Sequence, residues 1–398
     1  MPASLPGPVL RPFRAVRYAP ALAGDLSQVV CPPYDAMNHA HAHALRRRPH
    51  HLARLLYSAR PRDAALQLTR WTERGVLVRD ERPALYVYEQ RLAQRTLQRG
   101  LIGELDLTHP RVLPHEGVRE HVVHQRAAQL AGMRAQLEPL LLAHRPSPNA
   151  PDGAALMATV ARRRPLVIAR VGRVAHLLWA CDDPAEQSVL AAHAAGGSAL
   201  VADGHHRRAA CLHLAARPAQ DHWTSGLALL VDQDTHPLRL AAIHRVIPSL
   251  DPEKAAASAA DVARVRPLRA PRLPAPGEIV LTGSGRAWSL DTPSPTALAA
   301  ALRDHPPQWA TLPTAVADLL LLRDTWSVPD LPGAVHHVHD APLATASVAT
   351  PGQGTAVLLP PLPEPEVRTL AASGVLLPHK TTSFGPKPVA GLVLRVPE

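Results

Sequence analysis

The sequence predicts an α+β fold with mixed sheets, organised as two domains. Three observations lead there. The chain has 398 residues, enough to bury more than one hydrophobic core. Apolar runs of strand length mix with helix-forming segments, but without the regular βα winding of a single parallel sheet. One stretch, Ser198 to Ala216, turns from a strand into a helix through a single glycine, Gly204. The N-terminal domain is expected at 1–250. A C-terminal α/β domain is expected at 251–398, with a tail, 377–398, that returns to the site of the first.

Each element has a local reason. The start, to about Asp35, is extended and Pro-rich. His39 to Tyr57 and Arg62 to Arg74 have helix-forming composition, the second closed by Gly75. Ala84 to Gln90 and Leu101 to Leu107 read as strands of a hairpin. Glu120 to Ala135 reads as a helix and Leu137 to Ala143 as a buried strand. Leu166 to Val171 and Ala175 to Ala180 form a hairpin across Gly172. Pro184 to Ala195 is a helix with proline at its start, and Ala199 to Ala202 is a buried strand. Leu227 to Val231 and Leu238 to Val246 read as further strands. A helix follows Asp251, and short strands follow near Ile279 and Trp288, joined by a hairpin at Thr282-Gly283-Ser284-Gly285. Glu364 to Ala372 is a helix, and Val389 to Val396 alternates as a half-buried strand.

Composition narrows the function classes. The net charge is +10, which by itself suits nucleic acid. The arginines are scattered, however, and lack the aromatic interleaving of a single-strand binder. Nucleic acid is therefore set aside as a partner. No apolar run approaches the roughly 20 residues of a membrane helix, and the N-terminus lacks the apolar core of a secretory signal. Cys31, Cys181 and Cys211 match neither a disulfide framework nor a zinc pattern. A cytoplasmic location without membrane attachment is expected. The chain also avoids lysine and phenylalanine. Lysine stands only at Lys254, Lys380 and Lys387, and the two phenylalanines are Phe13 and Phe384. Where a scarce residue type persists, its own chemistry is needed, and arginine does not replace a compact ammonium.

The turn Asp203-Gly204-His205-His206-Arg207 has the makings of an anion site. The first N–H groups of a helix point at the turn before it. Gly204 lets a ligand approach the backbone, and Arg207 adds a two-pronged donor. Its loss is expected to weaken phosphate binding while sparing the fold. Asp203 sits at the strand's C-terminal end, where open α/β sheets place ligands. Three further groups could carry chemistry. His115 and Glu116 pair an imidazole with a carboxylate suited to general-base work or Mg²⁺; Arg119 in place of histidine excludes HExxH zinc chemistry. Pro32-Pro33 fixes an extended approach that positions Tyr34 and Asp35. Lys380, Thr381 and then Lys387 combine ammonium and hydroxyl groups suited to phosphate, without the glycines of a P-loop. The histidines at 39, 41 and 43 and at 336, 337 and 339 do not converge as a metal set, and a resident metal is left unassigned.

These motifs carry a resemblance. ADGHHR, RPFRAV (Arg11 to Val16), CPPYDAM (Cys31 to Met37), LPHEGVRE (Leu113 to Glu120), LEPLLLAH (Leu137 to His144), IHRVIPSL (Ile243 to Leu250) and PHKTTSFGPKP resemble, in order, those of domain-of-unknown-function family 1015. Val118 departs from an expected threonine and His244 from an expected asparagine. The weakest stretch is Asp251 to Thr355. The DGHHR turn also resembles the phosphate-binding element of the ParB/sulfiredoxin superfamily, which includes free-serine kinases. Cys211 lies within the helix, which removes sulfiredoxin chemistry.

The resemblance implies a small-molecule kinase or phosphotransferase. Its acceptor would be a hydroxyl-bearing metabolite, free serine by analogy. Its ligands would be a phosphorylated small molecule, a nucleotide (ATP or ADP) and Mg²⁺. Gly204, His205, His206, Arg207, Lys380 and Thr381 would hold phosphate. Glu116, His115 and Asp203 would be catalytic, and Tyr34, Asp35 and Lys387 would bind substrate. The alternatives are a phosphatase using the same cradle and a non-catalytic nucleotide switch of ParB type.

Overall fold

The computed structural model describes residues 7–397. The chain divides into two compact units. The first comprises Met1–Pro114, Val118–Leu238 and Pro386–Glu398, and the second His115–Gly117 and Arg239–Gly385. The division therefore falls at 238/239 rather than 250/251, and the tail splits: 377–385 belongs to the second unit and 386–397 to the first.

Unit 1 is built on a nine-stranded mixed sheet. Its order is Val112–Leu113, Ser198–Asp203, Leu140–Arg145, Ser225–Asp232, Arg95–Asp106, Leu85–Leu92, Val174–Cys181, Val167–Val171, with Leu10–Arg11 added onto Arg95–Asp106. Leu140–Arg145 has an antiparallel neighbour on one side and a parallel one on the other. Both its faces are covered, so it is apolar from Leu140 to Ala143 instead of alternating. The helices Glu120–Met133 and His205–Ala215 place Val123, Ala127, Ala210 and Leu214 in the core formed with Leu142, Val201 and Leu230. Each fully buried leucine contributes about 1.5–3 kcal/mol by leaving water.

Unit 2 contains a six-stranded antiparallel sheet in the order Ala263–Leu268, Arg286–Pro293, Ile279–Gly283, Thr355–Leu358, His244–Ile247, His336–Val338. Ser284 and Gly285 both take positive φ, which gives the tight two-residue turn read from the sequence. Ile247, Ala255, Leu281, Leu321 and Val357 lie in its core. Among the described residues, no helix is long and apolar enough to cross a membrane.

Three expected elements differ. The helix His39 to Tyr57 is two, His39–Arg46 and Ala53–Leu56. Pro49 has no N–H to continue the ladder and His50 takes φ 56°. The strand Leu238 to Val246 is also two. Arg239–Ala242 pairs with Thr382–Gly385, whereas His244–Ile247 joins the six-stranded sheet. The final strand, Val389 to Val396, is replaced by single bridges from Ala390, Leu394 and Arg395 to Cys31, Val16 and Gln136. Gly391, at φ 99°, interrupts the extended run.

Candidate functional site

In unit 1 the Ser198–Asp203 strand slips register against Leu140–Arg145 between Val201 and Asp203. Such an irregularity re-aims the residue that follows, here Asp203. Gly204 then takes φ 104° as the N-cap of the helix His205–Ala215, with no side-chain cap hydrogen bond. A Cβ at Gly204 would lie 2.5 Å from Leu140 Cδ2, so the turn requires glycine on both conformational and steric grounds. Asp203 does not cap the helix. Its carboxylate binds three side chains. Arg207 Nη2 donates to Oδ2 at 2.7 Å, Tyr34 Oη donates to Oδ1 at 3.0 Å, and Lys387 Nζ lies 3.2 Å from Oδ1.

Lys387 is the centre of this cluster. Its ammonium also reaches Asp35 Oδ2 at 2.8 Å, donates to Tyr34 Oη at 3.0 Å and lies 4.3 Å from the centre of the Tyr34 ring, within cation–π range. The sheet holds the lysine's backbone in place. Gln98 Nε2 donates to the Pro386 carbonyl at 2.9 Å and Gln90 Nε2 to the Lys387 carbonyl at 3.0 Å. Gln90 and Gln98 face each other on adjacent strands and are bonded together. Two buried glutamines in apolar strands thus have a defined use: they are the donors for a proline-flanked segment.

The charges hold one another. Burial works against the Asp203 charge, but Arg207 and Lys387 keep its carboxyl below the usual range. Burial likewise opposes the Lys387 charge, and Asp203, Tyr34 and Asp35 outweigh it, so the ammonium is held above the usual lysine value. Desolvation, then the Asp203 charge, push the Tyr34 phenol up to about 12, which keeps it a donor. Arg207 Nη1 donates to the carbonyls of Glu138 (3.1 Å) and Pro139 (2.8 Å). The guanidinium thus ties the helix start to the neighbouring strand. His206 Nε2 accepts from the Arg119 N–H at 3.0 Å, which joins the turn to the start of the helix Glu120–Met133.

The remaining predicted residues meet in unit 2. The Glu116 backbone bridges to Leu377. Glu116 Oε1 accepts from the Lys380 N–H at 2.7 Å and lies 3.0 Å from His379 Nδ1. Lys380 takes φ 60°, and its carbonyl accepts from Arg245, whose guanidinium is also paired with Asp318. His115 Nε2 lies 2.7 Å from Thr382 Oγ1, and its ring meets Phe384 edge-on. The Thr381 hydroxyl donates to the Pro378 carbonyl at 2.6 Å. The HE and HKTTSFG motifs therefore hold each other's backbone.

Tyr34, Asp35, Asp203, Arg207 and Lys387 accordingly form one group, and His115, Glu116, Lys380 and Thr381 another. Glu138 was not singled out as a site residue from the sequence. It lines the same small cleft as Tyr34, Asp203 and Lys387, and the proline that follows it was the available signal. The helix start and the Lys387 ammonium are groups that suit an anion. Asp35 and Asp203 both contact Lys387, and among the described residues no group of three or more His, Cys, Asp or Glu could hold a metal by itself; a Mg²⁺ carried by nucleotide phosphates would need only one or two carboxylates from the protein.

Fold and site together define an α+β protein with a strand–glycine–helix turn gathered around a buried lysine. The chain belongs to the family described as Protein of unknown function (DUF1015), whose profile matches residues 10–315. A comparison with curated proteins found no match. Among solved structures, a free serine kinase in complex with AMP is similar at 14% identity, over 72% of this chain and 87% of that one, with TM-score 0.38. A conserved hypothetical protein from Pyrococcus furiosus is similar at 15% identity, over 73% and 94%, with TM-score 0.39. SbnI with a C-terminal truncation, from Staphylococcus aureus, is similar at 10% identity, over 74% and 87%, with TM-score 0.40. Likenesses this loose transfer neither a ligand nor a residue's role.

Proposed function

We propose that this chain is a small-molecule phosphotransferase whose unit 1 seats the phosphates of a nucleotide at the Gly204 turn. One observation carries the reading. A helix start without a side-chain cap lies beside Asp203, whose carboxylate holds a buried lysine ammonium. The helix start and Lys387 offer positive potential to an anion. Lys387 exchanges a carboxylate partner for a phosphate oxygen, while Asp203 stays ionised and retains Arg207. Tyr34 remains protonated and orients the lysine. Asp35, released as Lys387 turns to phosphate, accepts the proton of the acceptor hydroxyl. A bound ATP or ADP supplies the phosphoryl group. Phosphoryl transfer asks the protein chiefly for positioning and charge neutralisation, which this cluster provides. The cytoplasm we propose for it suits three cysteines that are buried and unpaired.

The test is ³¹P NMR of the protein with ATP or ADP and hydroxyl-bearing metabolites, free serine first, with and without added Mg²⁺. A new phosphate ester that is lost in Lys387→Met supports the proposal. Phosphate release without an acceptor would make the protein a phosphatase. Nucleotide binding without consumption, with a change of oligomeric state, would make it a switch. No binding of any nucleotide overturns the phosphate seat.

A further inference from the structure

Between its six-stranded sheet and the segment 310–321, unit 2 encloses a cavity of about 200 Å³. Ile279 and Leu290, register partners on adjacent strands, form one wall. Ala310 and Pro313 form a second, and Val316 and Leu321 a third. A cavity of roughly 150 Å³ with an apolar lining already admits a benzene ring, so this one has room for a substituted ring. Ile279, Leu290 and Leu321 are buried and make its floor, whereas Gly277, Ala310 and Thr311 are exposed and make its mouth.

The third wall depends on an unusual backbone. Val316–Thr325 winds as a π-helix, and the Trp326 N–H continues it by donating to the Leu321 carbonyl five residues back, at 2.8 Å. In an α-helix, at about 100° per residue, residues five apart lie about 140° from each other. Leu321 would then turn away from the cavity that Val316 faces, and the wider winding brings both onto one side. The winding is held without any ligand, because the Asp318 carboxylate accepts from Nε and Nη2 of the buried Arg245. π-Helical turns are rare and occur frequently at functional sites; here the turn shapes the wall of a cavity.

The polar side chains at the margin are committed. Asp291 accepts from Arg264 and Thr292, and the Thr311 hydroxyl donates to the Gln308 carbonyl. An ion placed here would lack a counter-charge, since Arg264 already answers that of Asp291. A neutral apolar molecule gains instead, by leaving water and by touching atoms on several sides.

We propose that this cavity is a binding site for a small neutral apolar molecule, of about the size of one substituted ring. The site lies within unit 2 and does not rest on the phosphate reading of unit 1.

The test is ligand-observed ¹⁹F NMR on the full chain with three single-ring probes: fluorobenzene, para-fluorobenzoate and para-fluorobenzylammonium. Fluorobenzene is expected to bind at least tenfold more tightly than either ion. Val316→Phe, which puts a ring into the cavity, should abolish its binding. Ala310→Phe covers the mouth from an exposed position, so it serves where Val316→Phe does not fold, and it should weaken fluorobenzene at least tenfold. No binding of fluorobenzene, equal affinity for the three probes, or fluorobenzene affinity retained in either folded variant overturns the assignment. None of these readings depends on nucleotide, so failure here is distinct from failure of the phosphate seat.

Discussion

Replacing Arg207 with alanine tests whether the guanidinium is an anion donor or a clamp. It makes three hydrogen bonds: two to backbone carbonyls 68 and 69 residues earlier in the chain and one to the Asp203 carboxylate. The side chain is only 18% exposed and its partner 12%, so solvent screens the pair weakly. Alanine would leave two partly buried carbonyls without their donor and Asp203 with Lys387 as its remaining cation. Breaking a buried pair from one side costs about 3–5 kcal/mol, a large share of the roughly 5–15 kcal/mol by which a domain is stable. Arg207→Lys should recover little of it, because an ammonium cannot span the same fork. Urea unfolding followed through the buried Trp223 measures this directly. A loss under about 1 kcal/mol, with phosphate binding gone, would refute the clamp and restore the role first read from the sequence, in which Arg207 serves the ligand and the fold survives without it.

Gly204→Ala should destabilise unit 1 and abolish phosphate binding, since the new Cβ meets Leu140 at 2.5 Å in a conformation at φ 104°; normal phosphate affinity by calorimetry would show that the turn is not the seat. Gln90→Leu with Gln98→Leu should leave the sheet folded but release the Pro386–Lys387 carbonyls, weakening phosphate binding about tenfold; unchanged affinity would mean that the pair does not position Lys387. Stability should also depend on acid. Burial holds His144 and His176 at about 4 when folded, against roughly 6.5 for an exposed histidine. The unfolded chain therefore binds more protons between those values, and stability falls as pH drops from about 6.5 to about 4. Denaturant midpoints that stay level across that window would contradict it.

What was legible in the sequence, and what was not, follows from the range of the interactions. Helices with proline at their start and strands with buried apolar runs are local facts, and Pro184–Ala195 and Glu364–Ala372 fall where composition placed them. The tail was misread because alternation looks the same whether a segment joins one sheet or, as here, bridges to three separate segments. Arg207 shows the corresponding limit at the site. A sequence displays a donor's type but not its acceptors, and these come from Glu138 and Pro139, far away in the chain. The charge that Glu138 adds to holding Arg207 protonated was hidden for the same reason.

Scarcity proved a better guide than motif for one residue. In a chain that avoids lysine, Lys387 is retained between two prolines, and its ammonium meets both carboxylates and the phenol of the cluster. A guanidinium there would be larger, planar and fixed in its donor directions, whereas an ammonium can rotate its three protons among Asp35, Asp203 and Tyr34. The same freedom is what a phosphate seat asks of a cation that must change partners during a reaction. Lys387→Arg is therefore the most discriminating conservative change. It preserves charge, so a purely electrostatic role predicts phosphate affinity near that of the wild type, while partner exchange by a compact ammonium predicts a loss of turnover with binding retained. Affinity by calorimetry and transfer by ³¹P NMR, measured on the same variant, separate the two, and full turnover in Lys387→Arg would rule out partner exchange.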